Sequence, residues 1–214
     1  MITQTLSLRA FALIALTGLS VITPAVAQEV ITDPAKAQAG VYELDPRHTN
    51  VSWKVSHLGF SNFVGTFEQA GGTLDFKPDD PTKSTLKVTI DPATLHTNVE
   101  GFAKELIAGG GWIDAAKGPI TFVSTSAAKT SETTGTLTGD LTLNGVTKPV
   151  TFDVAFVGAG KNGFANAHAI GFSGKTTIKR SEFGVDKYVP TVGDDVTIMV
   201  ESEFLQKIPE AAKQ

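Results

Sequence analysis

Short segments in which apolar and polar residues strictly alternate recur along this chain from residue 51 onward. The first is VSWKVS at 51–56, and the same period of two returns at 73–77, 85–90, 137–143, 151–156 and 196–201. Successive side chains of a β-strand point to opposite faces, so each segment is predicted to be a strand with one apolar and one polar face. This pattern is typical of antiparallel sheets, because parallel strands packed between helices are apolar on both faces.

The segments between these predicted strands contain turn signals and one helical pattern. Asn144-Gly145 is typical of a type I′ hairpin turn, in which both central residues have positive φ. In 99–108, Val99, Phe102 and Leu106 have helical spacing, and the glycines that follow at 109–111 end the predicted helix. The chain is therefore predicted to be all-β, an antiparallel barrel or sandwich with one short helical insertion near 99–108.

The first 27 residues have the pattern of a secretory signal peptide. Arg9 precedes an apolar run at 11–22, and Ala25-Val26-Ala27 is a small-x-small cleavage site. We expect cleavage after Ala27, export to the periplasm, and no stable membrane anchor afterwards. An uncleaved anchor is disfavoured because the apolar run is short for a membrane span. No cysteine stands at the cleavage point, which excludes a lipoprotein anchor.

The remainder of the chain is predicted to be one domain. Residues 28–40 are small, polar and proline-containing, and are interpreted as a flexible N-terminal arm. The barrel is assigned to 41–207, and 208–214 form a C-terminal tail. The chain contains no cysteine, so disulfides, thiolate metal sites and cysteine nucleophiles are excluded.

Charge and motif spacing disfavour several classes of function. The formal net charge of −4 gives no electrostatic footprint for nucleic acid. The sequence GAGKNG at 158–163 matches the G-x-G-x-x-G pattern of dinucleotide-binding proteins. That pattern binds a dinucleotide only where it connects a strand to a helix. Here it lies between two predicted strands and is interpreted as a hairpin loop. The histidines show no local metal-binding spacing, and no nucleophile motif is present, so no metal site and no catalytic residue are predicted.

Five blocks resemble those of a known family. They are YELDPRHT at 42–49, WKVSH at 53–57, VGTF at 64–67, GDLTLNGVTKPV at 139–150, and the pair IKRSEFGV at 178–185 and VGDDV at 192–196. In this order and spacing the chain resembles the YceI-like family of exported, lipocalin-like, polyisoprenoid-binding proteins.

The resemblance implies a lipocalin-like antiparallel barrel of about eight strands with a hydrophobic channel. It also implies that the channel holds a long isoprenoid or related amphiphilic lipid, such as a quinone-type lipid, as a ligand for transport, storage or sequestration. No cofactor is implied. The resemblance is consistent with a homodimer, although no interface is recognisable in the sequence.

On this interpretation, aromatic residues are candidate channel walls, and two polar residues of the family blocks border the site. The candidate ligand-binding residues are Trp53, His57, Phe60, Phe63, Phe67, Trp112, Phe122, Phe172, Arg180 and Phe183. Each Phe has an alternative place in a closed core or on the outer surface. Arg180 either pairs with a carboxylate at the barrel mouth or contacts a head group, and the structural role is favoured.

One departure and two alternatives bear on function. The family commonly has an Arg-Asp-x-His-Leu type stretch in its helical insertion, where this chain has AKELI at 103–107. If those polar residues hold a ligand head group in the family, their loss implies a different head group here, or none. The alternatives are a lipid-modifying enzyme that uses His57 as an acid–base group, and a structural or partner-binding barrel with a filled core.

Overall fold

The computed structural model of the protein describes residues 29–209. Its strands are β1 (Gly40–Leu44), β2 (Asn50–His57), β3 (Ser61–Phe67), β4 (Ala70–Phe76), β5 (Thr85–Ile90), β6 (Leu95–His96), β7 (Ile120–Lys129), β8 (Thr134–Leu143), β9 (Val146–Asn162), β10 (Ala167–Lys179) and β11 (Val192–Lys207). One α-helix, α1 (Phe102–Leu106), lies between β6 and β7 in this part of the chain, together with short 3₁₀ segments.

Eight of the strands close into an antiparallel barrel. They pair in the order β1-β4-β5-β7-β8-β9-β10-β11, and a further pairing of β1 with β11 completes the ring. A closed ring leaves no barrel edge unpaired, and its inward faces form a common interior. The predicted all-β barrel of about eight strands with one short helical insertion is confirmed.

The long strand β11 has two neighbours along one of its edges. Its first part pairs with β2, and its last residues pair with β1. From β2 the sheet continues to β3 and the two-residue strand β6, so these strands form a flap beside one end of the barrel. The WKVSH block at 53–57 lies in β2, the first strand of this flap.

The turn between β8 and β9 has the conformation that its sequence predicts. Asn144 and Gly145 have φ values of 52° and 72°, as a type I′ turn requires. The Asn144 side chain also holds the segment before β7: its Oδ1 accepts a hydrogen bond from Asp114 N (2.8 Å), and its Nδ2 donates to Trp112 O (3.1 Å). The turn therefore fixes Trp112 at one end of the barrel.

The structure describes two segments that the sequence analysis interpreted as an arm and a loop. The expected flexible arm contacts the barrel: Ile31 exchanges backbone hydrogen bonds with Ala159, and the Tyr42 hydroxyl donates to Gln38 O at 2.6 Å. Burial raises the pKa of Tyr42 to about 12, so this donor stays protonated. Most of 158–163 is strand rather than hairpin loop, because β9 continues to Asn162 and pairs with β10 up to Ala167.

Some expectations concern residues that the structure does not describe. The predicted signal peptide at 1–27, and most of the predicted tail, lie outside residues 29–209. Between residues 29 and 209, no helix has the length and apolar character needed to cross a bilayer.

Candidate ligand cavity

The barrel encloses an elongated cavity of about 690 Å³. Its wall consists of the apolar faces of the alternating segments. On three of the strands these faces contribute Val51, Trp53 and Val55 from β2, Leu86, Val88 and Ile90 from β5, and Val196, Ile198 and Val200 from β11. Because the polar residues between them point outward, the alternation that forms the strands also forms an apolar interior.

Aromatic rings in edge-to-face contact form much of the remaining wall. Phe172 lies near the middle of the barrel, with ring-centroid distances of 5.7 Å to Phe156 and 6.5 Å to Phe204. Phe122 and Phe152 make a second such pair at 5.3 Å. Edge-to-face pairs are favoured over face-to-face pairs by the ring quadrupole, and they leave a ring face free for another apolar group.

The flap and α1 cover one end of the cavity with a further aromatic group. Phe63 stands 6.0 Å from Trp53 and 5.5 Å from Phe102, which is the first residue of α1. The helical insertion therefore closes the side of the cavity that β3 and the short β6 leave open. This is the structural role of the segment in which the sequence departs from the family pattern.

Eight of the ten predicted site residues border the cavity. They are Trp53, His57, Phe63, Phe67, Trp112, Phe122, Phe172 and Arg180. Their contact with a ligand remains a prediction. Two residues, Phe60 and Phe183, are placed elsewhere, and neither belongs to an alternating strand.

Phe60 and Phe183 do not line the cavity. Phe60 belongs to the β2–β3 turn and is 88% exposed, since Leu58 and Gly59 adopt positive φ and turn the hairpin tip into solvent. Phe183 is 1% exposed and ends the 3₁₀ segment Arg180–Phe183, which follows β10. Once the chain leaves the strand, the period of two no longer determines which way a side chain points.

The Arg180 side chain binds the protein's own backbone. Its guanidinium group donates to the carbonyl oxygens of residues in one loop: Nε to Gly193 (2.8 Å), Nη1 to Val185 (2.6 Å), and Nη2 to Lys187 (2.9 Å) and Val192 (3.1 Å). Burial lowers the pKa of Arg180, although Asp194 and Asp186 oppose that shift. Through these four hydrogen bonds Arg180 holds residues 185–193 in place.

This loop forms part of one mouth of the cavity, which we call the upper mouth. The mouth is bordered by His57, Ser61, Trp112, Tyr188 and Val192. The rings of Trp112 and Tyr188 are 5.9 Å apart, and Lys187 Nζ lies 5.3 Å and 5.4 Å from their respective centroids.

The opposite end of the barrel, the lower mouth, is polar. It lies between the β7–β8 turn and the 3₁₀ segment Pro81–Lys83. The residues that border the cavity there include Thr82, Thr85, Lys129, Glu132, Thr134 and Thr136. The cavity therefore has one aromatic mouth and one polar mouth.

Two donors beside the cavity lack an acceptor. The indole Nε1 atoms of Trp53 and Trp112 are buried, and neither has a hydrogen-bond partner within the described part of the chain. A buried donor without a partner costs about 1–3 kcal/mol. Both rings border the cavity.

Sequence reasoning missed several wall residues. The aliphatic walls of β5 and β11 can be identified from their alternation, but the predicted site contains only aromatic residues and the polar residues His57 and Arg180. Tyr188 could not have been found, because it lies in a loop without periodic pattern and has φ of 63°.

One polar cluster lies outside the cavity wall. Ligand-type atoms of Asp45, His48 and Glu203 lie within 4.8 Å of one another. The Asp45 carboxylate is already used, since Oδ2 is 2.6 Å from His48 Nδ1 and Oδ1 accepts a hydrogen bond from Arg47 N at 2.9 Å. We interpret the cluster as an ion pair that fixes the turn after β1.

Comparison with known proteins agrees with this architecture. A "UPF0312 protein" from Ectopseudomonas mendocina is 37% identical over 175 residues, covering 80% of this chain and 91% of that protein. A relative from Pseudomonas putida strain W619, "UPF0312 protein PputW619_0484", is 40% identical over 153 residues, covering 70% and 79% of the two chains.

Solved structures share the fold. The crystal structure of Burkholderia cenocepacia BcnA aligns with a TM-score of 0.65 at 27% identity, covering 75% of this chain and 98% of that one. The Campylobacter jejuni YCEI protein aligns with a TM-score of 0.63 at 30% identity, covering 72% of this chain and 91% of that one. A sequence model described as the YceI-like domain matches residues 42–204. The chain therefore belongs to the YceI-like domain family.

Proposed function

We propose that this protein binds one long apolar chain, an isoprenoid or a related amphiphilic lipid, inside its barrel. The observation that carries the proposal is the apolar cavity of about 690 Å³. This volume lies within the usual range for small-molecule sites, roughly 300–1,000 Å³. The elongated shape between two mouths suits a chain rather than a compact ligand.

The energetics of an empty cavity support an occupant. At about 24 cal/mol per Å³, a dry void of about 690 Å³ would cost on the order of 15 kcal/mol. A folded domain is stable by only about 5–15 kcal/mol. A guest chain gains about 0.8 kcal/mol for each buried CH₂, hence roughly 3–4 kcal/mol for each isoprene unit. An apolar chain therefore stabilises the barrel by filling space that would otherwise be dry or poorly hydrated.

A structural neighbour is consistent with this ligand class. A domain from Saccharophagus degradans, described as a polyisoprenoid binding domain implicated in plant cell wall breakdown, aligns with a TM-score of 0.59 at 11% identity. At that identity the likeness establishes only the shared fold. The ligand is proposed for this chain from its own cavity.

The chemistry of the wall favours binding over catalysis. The acidic and basic residues that border the cavity are His57, Glu105, Lys129, Glu132 and Arg180. Arg180 binds the backbone of its own loop, and the others are exposed at the mouths. General acid–base catalysis requires groups within hydrogen-bond reach of a reacting atom, whereas the wall between the mouths is apolar.

The head group is proposed to be neutral and to carry an oxygen acceptor. The unpaired Nε1 atoms of Trp53 and Trp112 are buried donors in rings that border the cavity. A carbonyl or hydroxyl oxygen would accept from either of them. We further propose that transport, storage or sequestration of this lipid takes place in the periplasm after removal of residues 1–27.

The proposal is tested by titration with farnesol. Both tryptophans of the protein border the cavity, so their fluorescence reports directly on its contents. We expect saturable quenching with one site per chain. Geraniol, which is one isoprene unit shorter, should bind at least about tenfold more weakly. If neither farnesol nor geraniol binds saturably to lipid-free protein, the proposal is overturned.

A further inference from the structure

Three apolar side chains that face solvent surround the upper mouth. Leu58 and Phe60 stand at the tip of the β2–β3 hairpin and are 45% and 88% exposed, and Tyr188 in the 185–193 loop is 61% exposed. We refer to these three residues as the apolar rim. The rim is continuous with the cavity, because His57, Ser61 and Tyr188 itself border the opening.

The backbone brings the two parts of the rim together. Phe60 N donates to His57 O at 3.0 Å, and His57 pairs with both Ser61 and Val192. Val192 N in turn donates to Tyr188 O at 2.8 Å. The hairpin tip and the loop therefore lie side by side at the same mouth.

The rim is presented in unfavourable backbone conformations. Leu58 and Tyr188 have φ values of 55° and 63°, in the left-handed region that side chains other than glycine rarely adopt. Such conformations persist where the surrounding structure imposes them, and they concentrate at functional sites. Here they coincide with large apolar side chains exposed to water.

The lower mouth shows no such arrangement. Its border includes Thr82, Lys129, Glu132 and Thr134, whose side chains are compatible with water. The exposed ring of Phe164 is at that end of the molecule but lies in the β9–β10 turn and does not border the cavity. Of the two mouths formed by residues 29–209, only the upper one combines an opening with an apolar surround.

We propose that the apolar rim docks onto the surface of a phospholipid bilayer, so that the lipid passes between membrane and cavity without crossing water. This inference rests on the proposed function. Aromatic and aliphatic side chains partition into the boundary between head groups and acyl chains, where Tyr is favoured for its polar tip. A docked upper mouth would align the apolar interior of the bilayer with the apolar wall of the cavity.

The charges near the rim indicate the kind of membrane. Lys187 Nζ lies over the Tyr188 ring and 4.0 Å from Glu105 Oε1. Because this cation is already opposed by a carboxylate, it adds little attraction for anionic lipids. Docking is therefore driven by apolar insertion, and it requires neither anionic lipid nor low salt.

The test is co-sedimentation with sucrose-loaded vesicles of phosphatidylcholine alone, at low and at high salt. The wild-type protein is expected to sediment with the vesicles at both salt concentrations. Phe60→Ser should lower the affinity for vesicles about tenfold or more, because it removes one inserted ring. Phe164→Ser is the matched control, because Phe164 is also highly exposed but lies at the opposite end, and it should leave vesicle binding unchanged. Both variants should bind farnesol as the wild type does.

The outcomes separate this inference from the proposed function. If neither the wild type nor the variants bind vesicles while all of them bind farnesol, the membrane-docking proposal is wrong and the proposed lipid binding in the cavity stands. Loss of vesicle binding in Phe164→Ser but not in Phe60→Ser would place docking at the other end and overturn the proposal. A change of oligomeric state in Phe60→Ser, measured by sedimentation velocity, with vesicle binding unchanged would assign the rim to a second copy of the chain and also overturn it.

Discussion

The indole ring of Trp53 packs against Gly65, its cross-strand partner on β3. A Cβ atom placed on Gly65 would overlap the six-membered part of that ring. The absence of a side chain on β3 therefore allows Trp53 to lie along the wall of the cavity instead of filling it. Gly65 is the glycine of the VGTF block, and its packing against Trp53 explains why a residue without a side chain stands there.

Gly65→Ala is expected to displace the ring. The new methyl group forces Trp53 toward the cavity or the backbone of β3 outward, which costs about 1–3 kcal/mol of unfolding free energy. Urea denaturation measures this loss. Gly71→Ala is the control: Gly71 is also in a strand, but a Cβ there meets nothing within 4 Å, so its stability should be unchanged or slightly raised. Equal effects of the two substitutions would contradict this account of Gly65.

A second prediction concerns obstruction of the cavity. Gly174 borders it between Phe172 and Thr176 on the inward face of β10, and a Cβ there makes ordinary contacts of 3.7–3.9 Å with Phe152, Val200 and Val154. Gly174→Phe should place its ring in the lumen and weaken farnesol binding about tenfold or more.

The control for this variant is Gly171→Phe on the same strand. Gly171 faces Val157 on the outer surface, so a ring there should leave farnesol affinity unchanged. If Gly174→Phe bound farnesol as tightly as the wild type, the ligand could not lie in the barrel interior.

A third prediction concerns Arg180, which is 4% exposed. Arg180→Met leaves the carbonyls of Val185, Lys187, Val192 and Gly193 without their donor and should destabilise the fold by at least about 3 kcal/mol. Thermal and urea unfolding report the loss. Arg47→Met, which changes an exposed arginine, should have an effect within about 0.5 kcal/mol. A similarly small effect at Arg180 would show that the 185–193 loop is held by other contacts.

A fourth prediction concerns the pH dependence of the pair between Asp45 and His48. The hydrogen bond and the charge of Asp45 raise the pKa of His48 above its ordinary 6.5. Burial opposes ionisation of Asp45, but the hydrogen bonds from His48 and the Arg47 backbone outweigh it and lower its pKa below 3.8.

The sign of each contribution to stability follows from these shifts. The His48 contribution is fully present below pH 6.5 and is lost as pH rises through its raised pKa. The Asp45 contribution is present above pH 3.8 and is lost as pH falls through its lowered pKa. His48→Gln should therefore be destabilised relative to the wild type near pH 5, and the difference should shrink toward pH 8. A difference that does not change with pH would contradict the ion pair, and an NMR titration of His48 checks the shift independently.

The period of two predicted most of the barrel because it is a local property. Leu86, Val88 and Ile90 face the cavity for the same reason that they alternate with polar residues, and the Asn144-Gly145 turn follows from the φ values that its residues tolerate. Such features depend on a few neighbouring positions, so they can be identified without knowing the tertiary structure.

The two mouths of the cavity were harder to predict because they consist of loops. Residue type alone predicts Phe60 and Phe183 to be wall residues, yet both lie beyond the end of a strand, where no alternation determines their direction. The partners of Arg180 are backbone carbonyls from 185–193, and any residue type supplies a carbonyl. Pairing of Ile31 with Ala159 likewise depends on an edge of β9 that exists only in the folded barrel.

The presence of a cavity, in place of a filled core, depends on small residues at inward positions. Gly65 and Gly174 leave the space that their neighbours border, but an inward glycine in a sequence is equally consistent with a large side chain opposite. The choice between these readings requires the three-dimensional packing around each position.

The most direct test of the central claim is the mass of the protein together with whatever it carries. The protein should be produced with residues 1–27 in place, isolated without detergent, and compared by native and denaturing mass spectrometry. We predict a stoichiometric extra mass in the native spectrum that extracts into organic solvent and is absent or reduced in Gly174→Phe. An unliganded native mass, together with no uptake of farnesol by the same preparation, would contradict a lipid-binding barrel.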